Sequence, residues 1–115
     1  MDNGQLRAGW QRKTINEIAI VKGGKRVPKG YKFESIPTQH PYITVSDFTD
    51  DGAVDTSRLK YISNEVFEQI KSYIISSDDL YISIAGTIGK TGYVSAELNG
   101  ANLTENACKL ILNNG

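Results

Sequence analysis

A glycine-rich stretch, residues 85–92, is the first part of the sequence whose composition could do chemistry, because its G-K-T triplet is typical of loops that bind nucleotide phosphates. Such a loop has the pattern G-x-x-x-x-G-K-[S/T], which would place its first glycine at the position of Ile84. The residues that follow favour a strand, whereas a phosphate-binding loop begins a helix whose N-terminus holds the anion. Spacing and context therefore argue against a nucleotide site and predict an irregular glycine loop over residues 86–92.

Side chains that could catalyse a reaction or bind a metal are few and scattered. His40 is the only histidine, and a metal site needs three or four ligands. The aspartates between Asp47 and Asp55 lack the spacing of a calcium loop, since Arg58 stands where its terminal glutamate would be. Cys108 lies among apolar residues and is predicted to be a small core residue. No serine or threonine has a base to activate it. We therefore predict no catalytic residues, no metal site and no cofactor bound by this chain.

The elements that would position a binding surface follow from the spacing of apolar residues. A capping box at Thr14–Glu17 predicts a short helix, and Ser63 is predicted to cap a second helix that runs to about Ser72. The face of that second helix would carry Val66, Phe67, Ile70, Tyr73 and Ile74. The segment from Lys22 to Gln39 is predicted to have little regular structure. Strands are predicted at residues 41–46, 60–62, 80–85, 93–95 and 107–112. The predicted fold class is α+β, a strand-rich mixed sheet with short helices.

Composition limits the kind of protein. The 115 residues suit one compact domain, 39% hydrophobic and 23% charged, which can bury a core without disulfides. The single cysteine excludes a disulfide framework, and no apolar run approaches the roughly 18–20 residues of a membrane span. The start of the chain lacks the pattern of a signal peptide. We expect a cytoplasmic protein with no membrane partner.

Charge is distributed unevenly along the chain although the formal net charge is zero. Residues 1–32 carry eight basic and two acidic residues, a net of +6, and the remainder carries five basic and eleven acidic residues, a net of −6. This asymmetry is compatible with a basic binding region on an acidic body or with a solvated polar N-terminal segment. Charge by itself favours the solvated segment.

An ordered set of short motifs resembles a known family, and the motif around residues 82–90 contributes most to the resemblance. The segments that carry it are Gly9-Trp10, Ile15-Asn16-Glu17-Ile18-Ala19, Gly23, Pro41-Tyr42-Ile43-Thr44-Val45-Ser46-Asp47-Phe48, Asp79-Leu80-Tyr81-Ile82-Ser83-Ile84-Ala85-Gly86-Thr87-Ile88-Gly89-Lys90 and Leu103-Thr104-Glu105-Asn106-Ala107. Their order and spacing resemble the target-recognition domains of type I restriction–modification specificity subunits. The resemblance covers about Trp10 to Leu112. It implies a partial recognition domain over residues 10–115, without its C-terminal part and spacer helix. Residues 1–9 precede this domain and are predicted to be a flexible leader.

The resemblance also implies a function. A specificity subunit binds double-stranded DNA through two such domains, and it directs adenine methylation and DNA cleavage by partner subunits without catalysing either. The partners would be methyltransferase subunits and, through them, a restriction subunit. These partners would bind S-adenosylmethionine, ATP and magnesium.

Candidate DNA-binding residues divide into two groups by the chemistry of their side chains. Cations that could meet phosphates are Lys22, Lys25, Arg26, Lys29 and Lys32. Side chains that could reach base edges or the sugar–phosphate backbone are Tyr31, Gln39, Ser46, Lys90 and Thr91. The alternative function is a non-enzymatic, β-rich module that binds a protein or a carbohydrate, and a nucleotide-binding enzyme ranks third.

Overall fold

The computed structural model describes residues 19–112, which form two four-stranded sheets and a short helix. The first sheet is antiparallel throughout, with the strand order β1-β8-β5-β6, where the strands are β1 (Ala19–Gly23), β5 (Leu80–Ser83), β6 (Thr91–Tyr93) and β8 (Ala107–Leu112). The second sheet has the order β3-β2-β7-β4, where the strands are β2 (His40–Ile43), β3 (Lys60–Ile62), β4 (Ile74–Ile75) and β7 (Ala101–Leu103). Only the pair β2 and β7 is parallel, so this sheet is mixed. The helix α1 spans Asn64–Ile70. The predicted α+β class is confirmed.

The second sheet is covered on both faces, and each face has its own core. Between the two sheets, Ile43 and Leu103 pack with Tyr81 of the first sheet, and the Phe48 ring stacks on Tyr81 at a centroid distance of 3.7 Å. Between the second sheet and α1 lies a smaller cluster made of Tyr42, Ile62, Val66 and Ile70. Because side chains alternate along a strand, the neighbours Tyr42 and Ile43 belong to different cores.

Helix α1 begins where the sequence predicts and ends earlier. The Ser63 side chain accepts a hydrogen bond from the backbone N–H of Val66 at 3.2 Å, which confirms the predicted cap. The helix ends at Ile70 because the buried Asn102 amide donates to the Ile70 carbonyl at 2.8 Å, and the chain then turns into β4. The prediction that Tyr73 and Ile74 lie on the helix face is therefore wrong, since both follow the last helical residue and Ile74 pairs with Asn102 in the second sheet.

The predicted strands are found with shifted limits. The strand predicted at 41–46 ends at Ile43, because the Asp47 carboxylate accepts the backbone N–H of Thr44 at 2.9 Å and closes a 3-10 turn over Val45–Asp47. The strand predicted at 93–95 lies at 91–93 instead, so the irregular part of the glycine loop ends at Lys90. The strand at 107–112 is confirmed.

The central strand β5 buries a different face from the one that its apolar residues indicate. Leu80, Ile82 and Ile84 alternate with Tyr81 and Ser83, yet Tyr81 and Ser83 are the fully buried pair. Tyr81 faces the second sheet, where its ring packs on Phe48 and its hydroxyl donates to the Ala53 carbonyl at 2.6 Å. The buried ring of Tyr81 and the hydrogen bond of its hydroxyl thus determine which face of β5 is buried. The predicted helix at Thr14–Glu17 and the predicted leader at 1–9 lie outside the described residues.

Candidate nucleic-acid interface

The ends of several strands from both sheets meet at one end of the molecule. Strands β2 and β7 are parallel, so the segments that follow them emerge together, and the pairing of Tyr42 with Lys60 brings the start of β3 to the same place. In the first sheet, Ser83 pairs with Ala107 and Gly23 pairs with Cys108, which places the ends of β5 and β1 beside the start of β8. We call this region the loop surface; it comprises residues 24–26, 44–47, 58–60, 84–90 and 104–106.

The turn at residues 104–106 joins three of the other four segments of the loop surface: residues 24–26, which we call the basic segment, residues 44–47 and residues 84–90. The backbone N–H of Thr104 donates to the Ile43 carbonyl at 3.0 Å, and the Asn106 carbonyl accepts the N–H of Ile84 at 2.8 Å. The backbone of Gly24 lies directly against this turn, because a Cβ atom at Gly24 would be 2.1 Å from the Thr104 carbonyl oxygen. The basic segment, the glycine loop and the segment after β2 are therefore held by backbone contacts to the same three residues.

The basic segment presents two cations on a fixed backbone. Its backbone is held by two hydrogen bonds, from the Lys25 N–H to the Leu103 carbonyl at 2.9 Å and from the Tyr42 hydroxyl to the Lys25 carbonyl at 2.7 Å. The Lys25 and Arg26 side chains are exposed. Arg26 Nε lies 3.3 Å from Glu105 Oε2, and the Arg26 side chain remains 76% exposed. A surface ion pair of this kind stabilises a protein by about 0–1 kcal/mol, so the guanidinium can exchange Glu105 for another anion at little cost.

Ser83 holds the glycine loop in place through hydrogen bonds. The buried Ser83 hydroxyl accepts the N–H of Lys90 at 2.8 Å and donates to the Thr87 carbonyl, while the Gly89 N–H donates to the Ser83 carbonyl at 2.9 Å. Gly86 and Gly89 have φ values of +74° and +90°, which favour glycine. The loop then continues into β6 and not into a helix, so its structure contains no phosphate-binding loop.

Lys90 is tied to the protein and is the least free of the predicted cations. Its Nζ donates to the Phe48 carbonyl at 3.3 Å and lies 3.6 Å from Asp50 Oδ1. Thr91 follows it as the exposed first residue of β6. These contacts hold the glycine loop against the segment that contains Phe48. Lys90 therefore has a structural role that requires no ligand.

A polar cleft beside the glycine loop contains two cations that sequence reasoning missed. The cleft has a volume of about 360 Å³ and is lined by Ser46, Asp47, Asp55, Ser57, Arg58 and Lys60. Lys60 Nζ donates to Thr44 Oγ1 at 3.4 Å, and the Thr44 hydroxyl shares a hydrogen bond with Ser46 at 2.9 Å. The pairing of the two predicted strands around Tyr42 and Lys60 was the signal that could have placed Lys60 here. The Ser57 hydroxyl and N–H both bind the Asp55 carboxylate and lower its pKa.

The remaining predicted site residues lie elsewhere. Lys22 is exposed in β1, opposite Lys109 of β8. Tyr31 lies beside the first turn of α1, where its hydroxyl donates to Glu65 Oε1 at 3.1 Å, and Lys29 and Lys32 flank it in the chain. Gln39 precedes β2 and lies at the opposite end of the molecule, in a groove of about 380 Å³ with Glu97. The structure thus brings together Lys25, Arg26, Ser46, Lys90 and Thr91, and it separates them from Tyr31 and Gln39.

Residues 19–112 contain neither a cluster of metal ligands nor a membrane-spanning helix. In that range, no three histidine, cysteine, aspartate or glutamate side chains are grouped as a metal ion would require. None of the helices in the same range has both the length and the apolar character needed to cross a bilayer.

Comparison with known proteins gives three consistent matches. The sequence model of the family described as the type I restriction modification DNA specificity domain matches residues 7–114. An alignment of 99 positions, which covers 78% of this chain, is 27% identical to the EcoBI type I restriction enzyme specificity subunit of Escherichia coli. The crystal structure of the HsdS subunit from Thermoanaerobacter tengcongensis is similar in fold, with a TM-score of 0.70 over 99% of this chain at 16% identity. The chain spans 19% of the length of the EcoBI subunit and 26% of the HsdS chain.

Proposed function

Since the chain belongs to the type I restriction modification DNA specificity domain family, we propose that its loop surface binds double-stranded DNA and reads part of a target sequence. The observation that carries the proposal is the meeting of cations, hydroxyl groups and a hydrogen-bonded loop at one end of the molecule. DNA recognition requires cations that fix the phosphate backbone and side chains that reach base edges. Lys25 and Arg26 would take the first role, and the loops around Ser46 and Ile88 would take the second.

Exposed acidic residues lie at both ends of the molecule. Asp78 and Glu97 lie away from the loop surface, next to the start of β5 and the start of β7. At the loop surface, Asp50 lies 3.6 Å from Lys90, and Asp55 lines the polar cleft. The proposal therefore rests on local contacts between cations and phosphates and not on a difference in net charge between the two ends. A protein or carbohydrate partner is the alternative function, and the family match does not favour it.

In a type I complex the chain would act without catalysing a reaction. We propose methyltransferase subunits and a restriction subunit as its partners, with adenine methylation and DNA cleavage performed by them. S-adenosylmethionine, ATP and magnesium would be bound by those partners. The matched EcoBI protein is named as a specificity subunit of a type I restriction enzyme, which supports this division of labour. We also propose a cytoplasmic location.

The experiment that tests DNA binding compares two double variants with the same change in net charge. Lys25→Ala/Arg26→Ala should weaken binding to every duplex by a similar factor and lower the slope of log affinity against log salt by roughly two, because each phosphate contact releases about 0.9 counterion. Lys29→Ala/Lys32→Ala removes the same charge beside α1 and should lower the slope by less. Fluorescence anisotropy would measure tight binding, and NMR shift changes would measure binding as weak as millimolar.

A third variant tests the exchange of Arg26 between Glu105 and phosphate. Glu105→Gln removes the competing carboxylate and should strengthen binding at low salt. If both double variants lowered affinity and slope equally, the attraction would come from overall charge and not from contacts at the loop surface. If Lys25→Ala/Arg26→Ala kept the parent's slope, the basic segment would be a solvated surface.

A further inference from the structure

Two segments of the loop surface lie outside the motifs by which this chain resembles its family. Residues 44–47, 84–90 and 104–106 fall within those motifs, whereas residues 24–26 and 58–60 do not. Recognition domains that read different DNA sequences must differ in the residues that touch the bases, because phosphate contacts carry no sequence information. Within the loop surface, the residues that set this chain's own preference therefore lie in residues 24–26 or 58–60.

These two segments contain two arginines, and the surroundings of the two side chains differ. Arg26 forms the surface ion pair with Glu105 described above. Arg58 is exposed, and it forms no ion pair with any residue in the part of the chain that the structure describes. The Arg58 guanidinium therefore has its five N–H donors available for a ligand.

The backbone that carries Arg58 is fixed on both sides. Before it, the Asp55 N–H donates to the Asp47 carbonyl at 2.7 Å, and the Asp55 carboxylate accepts the Ser57 N–H at 2.9 Å and caps the 3-10 turn. After it, β3 begins at Lys60, only two residues further along the chain. A side chain on a fixed backbone loses little conformational freedom when it meets a ligand, so its contacts give more net affinity than those of a mobile segment.

The charges around Arg58 favour an uncharged ligand over a phosphate. Arg58 and Lys60 line the polar cleft together with the carboxylates of Asp47 and Asp55, so the two cations and the two anions leave the cleft without net charge. The carboxylates repel a phosphate oxygen. A base edge carries no net charge and still offers hydrogen-bond acceptors to a cation. The cleft therefore suits the edge of a base pair better than the DNA backbone.

We propose that Arg58 enters the major groove and donates hydrogen bonds to O6 and N7 of a guanine, which makes it a specificity-determining residue. The planar guanidinium matches the spacing of these two acceptors, and this pairing is the commonest specific contact in the major groove. The proposal rests on the proposed function and adds a base preference to it. Phosphate contacts by Lys25 and Arg26 fix the position of the duplex, and residues 55–60 then hold the guanidinium at the base edge.

The test first selects the duplexes that the 115-residue protein prefers from a randomised pool. Each guanine of the best duplex is then replaced by 7-deazaguanine, which lacks the N7 acceptor and keeps the Watson–Crick pair. Affinities are measured at several salt concentrations for the parent, for Arg58→Ala and for Arg26→Ala. Arg26→Ala is a matched control, because it removes the same side chain and the same charge from the other arginine of the loop surface.

The expected result is specific to one guanine and one side chain. The parent should lose about 5- to 10-fold in affinity when one particular guanine loses N7, as expected for one of two hydrogen bonds. Arg58→Ala should bind the selected duplex about 5- to 150-fold more weakly than the parent and should bind its guanine and 7-deazaguanine forms equally well. Its salt slope should stay close to that of the parent.

The control should respond in the opposite way. Arg26→Ala should weaken binding to every duplex, lower the salt slope by about 0.9 and keep the parent's response to 7-deazaguanine. Because both arginines are exposed, the three proteins should unfold at nearly the same urea concentration.

The possible failures can be told apart. If the parent bound no duplex in a salt-dependent way, the proposed function would be wrong, and that result precedes any comparison of variants. If the parent bound DNA but no single 7-deazaguanine weakened binding, or if Arg58→Ala kept the parent's response to it, DNA binding would stand and the role of Arg58 would be refuted. If Arg58→Ala weakened binding to every duplex and lowered the salt slope as Arg26→Ala does, Arg58 would be a phosphate contact and not a reader of guanine.

Discussion

The hydroxyl of Ser83 and the backbone N–H of Lys90 lie 2.8 Å apart across the base of the glycine loop. Ser83 is fully buried, and the same hydroxyl donates to the Thr87 carbonyl. One small side chain therefore satisfies a donor and an acceptor of a loop that has no regular secondary structure. The shape of the loop surface depends on this interior residue as much as on the exposed residues that would touch DNA.

Replacement of Ser83 by alanine should lower the free energy of unfolding by about 1–3 kcal/mol, since the Lys90 N–H and the Thr87 carbonyl lose their partner. Urea unfolding followed by circular dichroism measures this change. Ser95→Ala is the control, because Ser95 is exposed and its hydroxyl contacts Glu97 at 3.4 Å. Its effect should stay within about 0.5 kcal/mol. Equal midpoints for the two variants would show that the loop does not depend on Ser83.

Adjacent glycines give a second prediction. A Cβ atom at Gly24 would meet the Thr104 carbonyl oxygen at 2.1 Å, whereas a Cβ atom at Gly23 would have no atom within 4 Å. Gly24→Ala should therefore cost about 2 kcal/mol or more and move the basic segment away from the 104–106 turn. Gly23→Ala should change stability by less than about 1 kcal/mol. Thermal unfolding and the amide NMR shifts of Lys25 and Asn106 would measure both effects, and similar losses in the two variants would contradict the close approach.

A third prediction concerns alkaline pH. Burial raises the pKa of Tyr42 to about 12, above the value of about 10 expected in the unfolded chain. The contribution of Tyr42 to stability is therefore complete below about pH 10 and is lost as the pH rises towards about 12. The free energy of unfolding should fall in that range, and it should fall less steeply in Tyr42→Phe. Burial also raises the pKa of Tyr81, so the variant keeps part of the decline.

Urea unfolding at about pH 9 and about pH 11 measures this dependence in both proteins. The comparison is made between slopes, because Tyr42→Phe also loses the hydrogen bond to the Lys25 carbonyl and is less stable at every pH. A parent protein with the same stability at both pH values would show that the Tyr42 phenol is not held neutral by burial.

Elements with a strong local signal could be predicted from sequence. The Ser63 cap and the long strand β8 were predicted because a capping side chain and six consecutive strand residues are visible in a short window. Strand β7 was missed because its middle residue is Asn102, whose burial depends on a carbonyl of α1 that lies 32 positions away in the chain. Strands β1 and β4 were also missed, since β4 has only two residues and β1 is defined by its pairing with β8.

The residues of the candidate site also divide into those that could be predicted from the sequence and those that could not. Lys25 and Arg26 could be selected from their charge, and the structure places them beside the glycine loop through the 104–106 turn. Arg58 and Lys60 were missed because no charge cluster marks them, and only the pairing of β2 with β3 brings them there. Gln39 is adjacent to β2 in sequence but lies at its start, whereas the loop surface forms at its end.

The pairing of β1 with β8 has a consequence for how such a unit could be carried by a larger protein. Ala19 and Leu112 are direct neighbours in that antiparallel pair, so the chain enters and leaves the described unit at adjacent points, about 5 Å apart between Cα atoms. A unit whose two ends lie side by side can be inserted into a longer chain without distorting the fold of the unit or of the rest of that chain. Replacing one such unit by another would leave the rest of the larger protein unchanged. It would alter only the ligand that contacts the loop surface, which lies at the opposite end of the unit.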